Sequence, residues 1–188
     1  MLLHTKLTVT PAFLVYAAAL LILLPLPWIT GWVLAVAAHE LSHCVALFLC
    51  KVPVYHVFLD IYGVKVVTPE LNGRQTVICS LAGPMGGLLL LLAATVVPRA
   101  ALIGLLQSVY NLIPLYPLDG GRALYAYLCF RYTEITANRV CDILYKVCLL
   151  VAFAVCVVSA FYWKLGALPV ILWVVLWLRV RNIKIPCK

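Results

Sequence analysis

The sequence predicts an all-α polytopic membrane protein of about six transmembrane helices, with a short membrane-associated β segment between the second and third. Three observations carry this expectation: an extreme apolar composition, apolar blocks of spanning length divided by Pro, Gly and basic residues, and one β-branched stretch too short for helices. Of the 188 residues, 66% are hydrophobic and 11% charged, and mean hydropathy is +1.11. A soluble domain is about 45–50% apolar and about a quarter charged. A chain this apolar could not cover its own surface in water and belongs in a bilayer. One membrane-embedded domain over residues 1–188 is expected, without repeats or a low-complexity tail.

A span needs about 20 mostly apolar residues. The first is expected from about Pro11 to Trp28, where Pro25 and Pro27 read as a helix stop beside an interfacial tryptophan. Ala35-Val36-Ala37 has the form of a leader-cleavage site. Cleavage there would remove a span longer than an ordinary leader core and leave another behind it, so the block reads as an uncleaved anchor. A tight turn at Thr30-Gly31 leads into the second span, about Trp32 to Cys50. Residues Val52 to Thr68 are rich in β-branched and aromatic side chains and are broken at Gly63, which predicts two strands, as a hairpin against the membrane. The third span, about Thr76 to Val97, ends at Pro98-Arg99. The fourth, about Ala101 to Ile113, is too short to cross alone and enters a Pro- and Gly-rich stretch before the apolar run Ala123–Phe130. The fifth and sixth are expected over about Val140 to Tyr162 and Leu165 to Val180.

The net charge of +8 raises nucleic acid as a partner, but the basic residues sit between apolar blocks or near the C-terminus, which is a topology signal instead. With six spans both termini share one side. That side would hold Lys6, Lys51, Lys65, Arg74, Arg122, Arg131, Arg139, Arg179, Arg181, Lys184 and Lys188, leaving Arg99 and Lys164 opposite. The asymmetry predicts both termini in the cytoplasm. The eight cysteines include no CxxC pair, and Cys44, Cys50, Cys79, Cys148 and Cys156 lie inside apolar blocks, where thiols pack as small hydrophobes.

Within the second span lies His39-Glu40-Leu41-Ser42-His43, an HExxH motif. On a helix, His39 and His43 project from one face, about 6 Å apart along the axis, so two imidazoles can hold one Zn2+. Glu40 stands beside that point, where a carboxylate can take a proton from an attacking water. Each ionisable group near the bilayer centre costs about 2.5–3.5 kcal/mol on insertion scales, so three polar residues in five positions need compensation. A metal and a polar cavity supply it; the competing reading is a set of helix-packing hydrogen bonds.

Catalytic zinc usually has three protein ligands. The remaining candidates are His4, His56, Asp60, Glu70, Asp119, Glu134 and Asp142. Asp119 stands out because Pro114 and Pro117 break the preceding helix and Gly120-Gly121 permit unusual backbone angles. Irregular backbone at membrane depth is tolerated where protein or a watery cavity covers it. An ordinary turn aspartate before Gly-Gly is the competing reading. His56 reads as a satisfied strand histidine, Asp60 and Glu70 as interfacial, and Gly83, Gly86 and Gly87 as a close-packing helix face.

His39–His43 in a transmembrane helix, Gly83-Pro84 in a later one, and Asn111 through Gly120 together resemble the site-2 protease family of intramembrane metalloproteases, and most of all its compact bacterial branch, typified by the sporulation-factor protease. The resemblance covers a catalytic core of about residues 32–122. It implies a zinc site of His39, His43 and Asp119, Glu40 as general base, and a cytoplasm-facing site in a bacterial inner membrane that cleaves membrane-embedded protein substrates. Ser42 stands where the family often has glycine. Gly87 stands where it commonly has an asparagine thought to bind substrate or the oxyanion, and Asn111 is the candidate to take over that role. A regulatory membrane partner is a further expectation. Two rivals follow: a catalytically inactive zinc-binding relative that holds client proteins, and a transporter, which would scatter ionisable groups over several spans.

Overall fold

The computed structural model describes residues 6–60 and 63–162, with Val170 and Val174 beyond them. The chain runs β1 (Lys6–Val9), α1 (Pro11–Leu23), α2 (Leu26–Leu49), β2 (His56–Asp60), β3 (Gly63–Val67), α3 (Gly73–Leu89) continued by a 3-10 turn (Leu90–Ala93), α4 (Pro98–Asn111), α5 (Asp119–Arg131) and α6 (Glu134–Tyr162). Three of these are long and apolar enough to cross a membrane: α2 at 24 residues, α3 with its 3-10 turn at 21, and α6 at 29. At 1.5 Å per residue each exceeds the roughly 30 Å of a hydrocarbon core. The helices α1 and α4 are only 13 and 14 residues long. Of the six spans expected, three therefore have spanning length among the described residues, and the sixth, residues 165–180, lies outside them. Large apolar side chains such as Ile22, Leu92 and Phe161 stand exposed, as lipid contact requires.

The first helix boundary differs from the sequence expectation. Pro25 and Pro27 begin α2 and do not end α1, because a proline without an N–H costs nothing in a first helical turn. The expected turn at Thr30-Gly31 is absent. The helix continues through it, and the missing side chain of Gly31 serves contact instead: a Cβ there would come within 2.9 Å of Arg99 Cβ on α4.

The fold is mostly helical, and its β segment is larger than expected. The expected hairpin is present, β2 pairing antiparallel with β3 from His56↔Val67 to Asp60↔Gly63. Gly63 has φ of 115°, which side chains rarely adopt. A third strand, β1, pairs parallel with β2 from Lys6↔His56 to Val9↔Leu59 and completes the order β1-β2-β3. Four residues ahead of an apolar block carry no alternation strong enough to announce a strand. Thr10 then links sheet and helix: its hydroxyl accepts from the Phe13 amide to cap α1 and lies 2.9 Å from Asp60 Oδ1, to which it donates.

The centre is packed by small residues, which let backbones approach where no hydrophobic force separates helix from lipid. Helix α3 begins on a reciprocal Asn72–Gln75 capping box. Gly86 faces Ser42 on α2, and Gly87 faces Gly104 and Ser108 on α4. Ser108, fully buried, donates to the carbonyls of Pro84 at 2.8 Å and Gly104 at 2.7 Å. Helix α6 packs on α5 through Leu128, Ala137 and Cys141. All seven described cysteines are free thiols, in line with their reading as packing residues.

Candidate metal centre

The HExxH motif lies in the second half of α2, and its two histidines turn toward α3 and the start of α5. His39 is buried, and Asp119 is buried with it. His39 Nε2 lies 3.2 Å from Asp119 Oδ2, His43 Nε2 lies 3.3 Å from the same oxygen, and the two Nε2 atoms are 3.2 Å apart. A tetrahedral zinc with bonds of about 2.0–2.1 Å separates its ligand atoms by about 3.3 Å. The three side chains thus form one face of a zinc-sized tetrahedron.

His43 Nδ1 is 2.6 Å from the carbonyl oxygen of Cys79. A carbonyl only accepts, so Nδ1 carries a proton and donates, which leaves Nε2 as the nitrogen that faces Asp119 and would take a metal. The backbone of α3 thereby fixes the tautomer of a histidine on α2. His39 Nδ1 is buried without a hydrogen-bond partner among the described residues, so the polar contacts of this ring run through Nε2.

Asp119 arrives by a route the sequence suggested only in part. It is the first residue of α5, where the helix dipole favours a carboxylate, and it does not sit on an irregular break. Gly120 and Gly121 are helical. Their role is close approach: a Cβ on Gly120 would overlap the Leu112 carbonyl, and one on Gly121 the Leu115 carbonyl. The Pro-rich loop after α4 folds back across the first turn of α5 and sets Asp119 against the histidines.

A cavity of about 840 Å³ opens on this centre. Glu40 lines it beside His39 and His43, and so do Asn111 at the end of α4 and Arg122 one turn after Asp119. Asp60 and the β3 residues Val64 and Val66 line its other wall. The structure thus brings together His39, Glu40, His43, Asp119 and Asn111. It leaves aside His56, which stacks on Phe58 at 4.1 Å and sits 2.8 Å from the Thr8 hydroxyl, as a local strand histidine would. Asp142 pairs with Lys146 on exposed α6, and His4 lies outside the described residues. Asp60, expected at the interface, belongs to the cavity wall.

Two contributors escaped the sequence reading. Gly83 read as helix packing, yet a Cβ there would overlap His43 Nε2 itself and come within 2.8 Å of His39 Cε1. Gln107, an amide one turn before Asn111 in an apolar helix, also lines the cavity. Gly87, by contrast, packs against α4. A Cβ there would overlap Ser108 Oγ, so the position is taken up by the α3–α4 contact.

With this geometry in view, the whole chain superposes on the site-2 protease from Methanocaldococcus jannaschii, with a TM-score of 0.60 over 100% of this chain and 96% of that one, at 14% identity. The fold is that of a site-2 protease. An alignment over 120 residues, which covers 52% of this chain, is 34% identical to the protein called "Putative zinc metalloprotease sll0528" in Synechocystis sp.. It spans 32% of that relative, so this chain matches about a third of the relative's length. No family model matches the chain. In this site-2 protease fold, the possible metal group is built from α2 and α5, with α3 packed behind the histidines.

Proposed function

We propose that the protein is an intramembrane zinc metalloprotease that hydrolyses peptide bonds of membrane-embedded proteins. The observation that carries this reading is the convergence of His39, His43 and Asp119 on one point beside Glu40, at the wall of a cavity. His39, His43 and Asp119 would hold the metal. When bound, zinc supplies Lewis acidity toward a water and a peptide carbonyl. The Glu40 carboxylate accepts a proton as the water oxygen bonds to the scissile carbon. It returns that proton to the amine nitrogen as the C–N bond breaks. The Asn111 amide donates to the carbonyl oxygen as negative charge develops there.

A helical substrate hides its carbonyls in its own hydrogen bonds and must unwind before attack. Strand β3 is an edge of the sheet, and its Val64 and Val66 face the cavity. It offers unpaired backbone groups to an extended segment, a common way of binding peptides. The site is proposed to open toward the cytoplasm of a bacterial inner membrane, with both termini on that side. Support comes from the excess of basic residues on the proposed cytoplasmic side, Lys51, Lys65, Arg74, Arg122, Arg131 and Arg139 among them, against Arg99 opposite. The histidines then lie about 10–18 Å along α2 from Cys50, at 1.5 Å per residue.

The test pairs bound metal with cleavage. Purified parent chain, Glu40→Gln and Asp119→Ala are compared for zinc per chain and for cutting of single-span membrane substrates. Glu40→Gln is expected to keep zinc and lose cleavage, and Asp119→Ala to lose zinc. A parent chain that binds zinc yet cuts nothing, alone or with a regulatory membrane partner, would favour the client-holding reading. One that binds no zinc would sink both.

A further inference from the structure

Helix α4 presents Ile103, Gln107 and Asn111 to the cavity, a row spaced by four residues and so on one helix face. Asn111 already has a place in the chemistry, and Ile103 is apolar. Gln107 has an amide whose Oε1 is screened from solvent and has no hydrogen-bond partner among the described residues. A buried carbonyl without a donor loses its hydration and gains nothing in exchange, and such groups are rare unless something else supplies the donor. His39 Nδ1 shares that condition and belongs to the candidate metal centre. Gln107 is a cavity group outside the ligand triangle.

A donor that enters the cavity, an N–H or an O–H, would satisfy it. We propose that Gln107 is a substrate-positioning residue whose side-chain amide grips the backbone of the unwound substrate segment. The inference rests on the protease reading above. A primary amide offers one acceptor and two donors, and a peptide group offers one of each, so the two form a paired set of hydrogen bonds with no regard to sequence. An uncharged grip suits a low-dielectric cavity, where an ionised side chain would need a counter-charge. The volume of about 840 Å³ is in the range of sites that enclose a ligand of several residues. Gln107 stands one helical turn from Asn111, so it would hold the chain beside the scissile bond while Asn111 attends the carbonyl oxygen.

The experiment measures binding apart from cleavage. The probe is a synthetic peptide with a Leu-Ala span of about 20 residues, a central Gly-Pro pair that permits unwinding, and lysine ends. Its Kd is measured by fluorescence anisotropy on the full chain in detergent, in the Glu40→Gln background, with zinc per chain determined on each sample. Gln107→Met and Gln107→Leu keep volume and remove the amide. Each is expected to weaken the probe about tenfold, as the loss of one or two neutral hydrogen bonds would, at unchanged zinc. Val109→Met, exposed on another face of α4, is expected to bind like its parent. Unchanged binding in both Gln107 variants overturns the proposal, and so does a loss of zinc in step with binding or a parent that holds no probe. If the Glu40-intact chain cuts nothing while both Gln107 variants still lose the probe, the protease reading falls and the backbone grip stands. If cleavage is intact and the Gln107 variants bind like the parent, only the grip falls.

Discussion

At the scale of single residues, the centre depends as much on an absent side chain as on those present. Gly83 leaves the space that the His43 ring fills, and Cys79 fixes that ring with its backbone carbonyl. Both lie on α3, so zinc affinity should respond to a helix that supplies no ligand. Gly83→Ala is expected to lower zinc affinity on the order of 10–100-fold, the usual cost of disturbing groups that orient a metal ligand. Zinc titration of the purified variant, with circular dichroism to confirm the helices, checks it. His39, Glu40 and His43 were legible because HExxH is a local pattern. Asp119 stood out from seven candidates by its Pro- and Gly-flanked setting and by the family resemblance, since no local pattern by itself states which distant carboxylate meets a histidine pair. Gly83 and Gln107 were illegible as site residues, because a glycine or an amide in an apolar run has many uses.

At the scale of elements, two contacts make distinct predictions. Helices α3 and α4 meet at Gly87, Gly104 and Ser108 with no room for another atom. Gly87→Asn, which would restore the side chain familiar in the family, is expected instead to destabilise the protein by about 1–3 kcal/mol through overpacking. A lower Tm in detergent reads that loss, and an unchanged Tm with faster cleavage would contradict it. Strand β3 makes the second prediction. Val66→Pro removes an N–H and stiffens the edge, and is expected to raise KM for a membrane substrate far more than it lowers zinc content. Equal loss of both would remove β3 from substrate binding. The hairpin was readable from β-branched residues interrupted at Gly63, whereas β1 was not, because four residues gain strand character only from their neighbour β2. The prolines at 25 and 27 misled for a related reason: proline marks a helix boundary without saying which side of it the helix occupies.

At the scale of the whole molecule, the small-residue contacts tie α2, α3 and α4 into the bundle that carries the metal centre, and the sheet forms one wall of its cavity. The charge asymmetry makes the proposed orientation testable. Single cysteines at Lys51 and at Arg99, introduced into a cysteine-free chain, are expected to react with an impermeant thiol reagent from opposite faces of the membrane, Lys51→Cys from the cytoplasmic one. Labelling of both from the same face would overturn the six-span topology. The sequence by itself determined the apolar character of the chain, the placing of His39, Glu40 and His43 on one helix and the approximate place of the apolar blocks, because hydropathy and helical spacing are properties of neighbours along the chain. The approach of Asp119 to the histidine pair, the bond from His43 to the Cys79 carbonyl, the cavity amide and the parallel strand were decided by tertiary structure alone. Each depends on residues brought together from 36 to 80 positions apart, and such distances are set by helix packing and not by any local pattern.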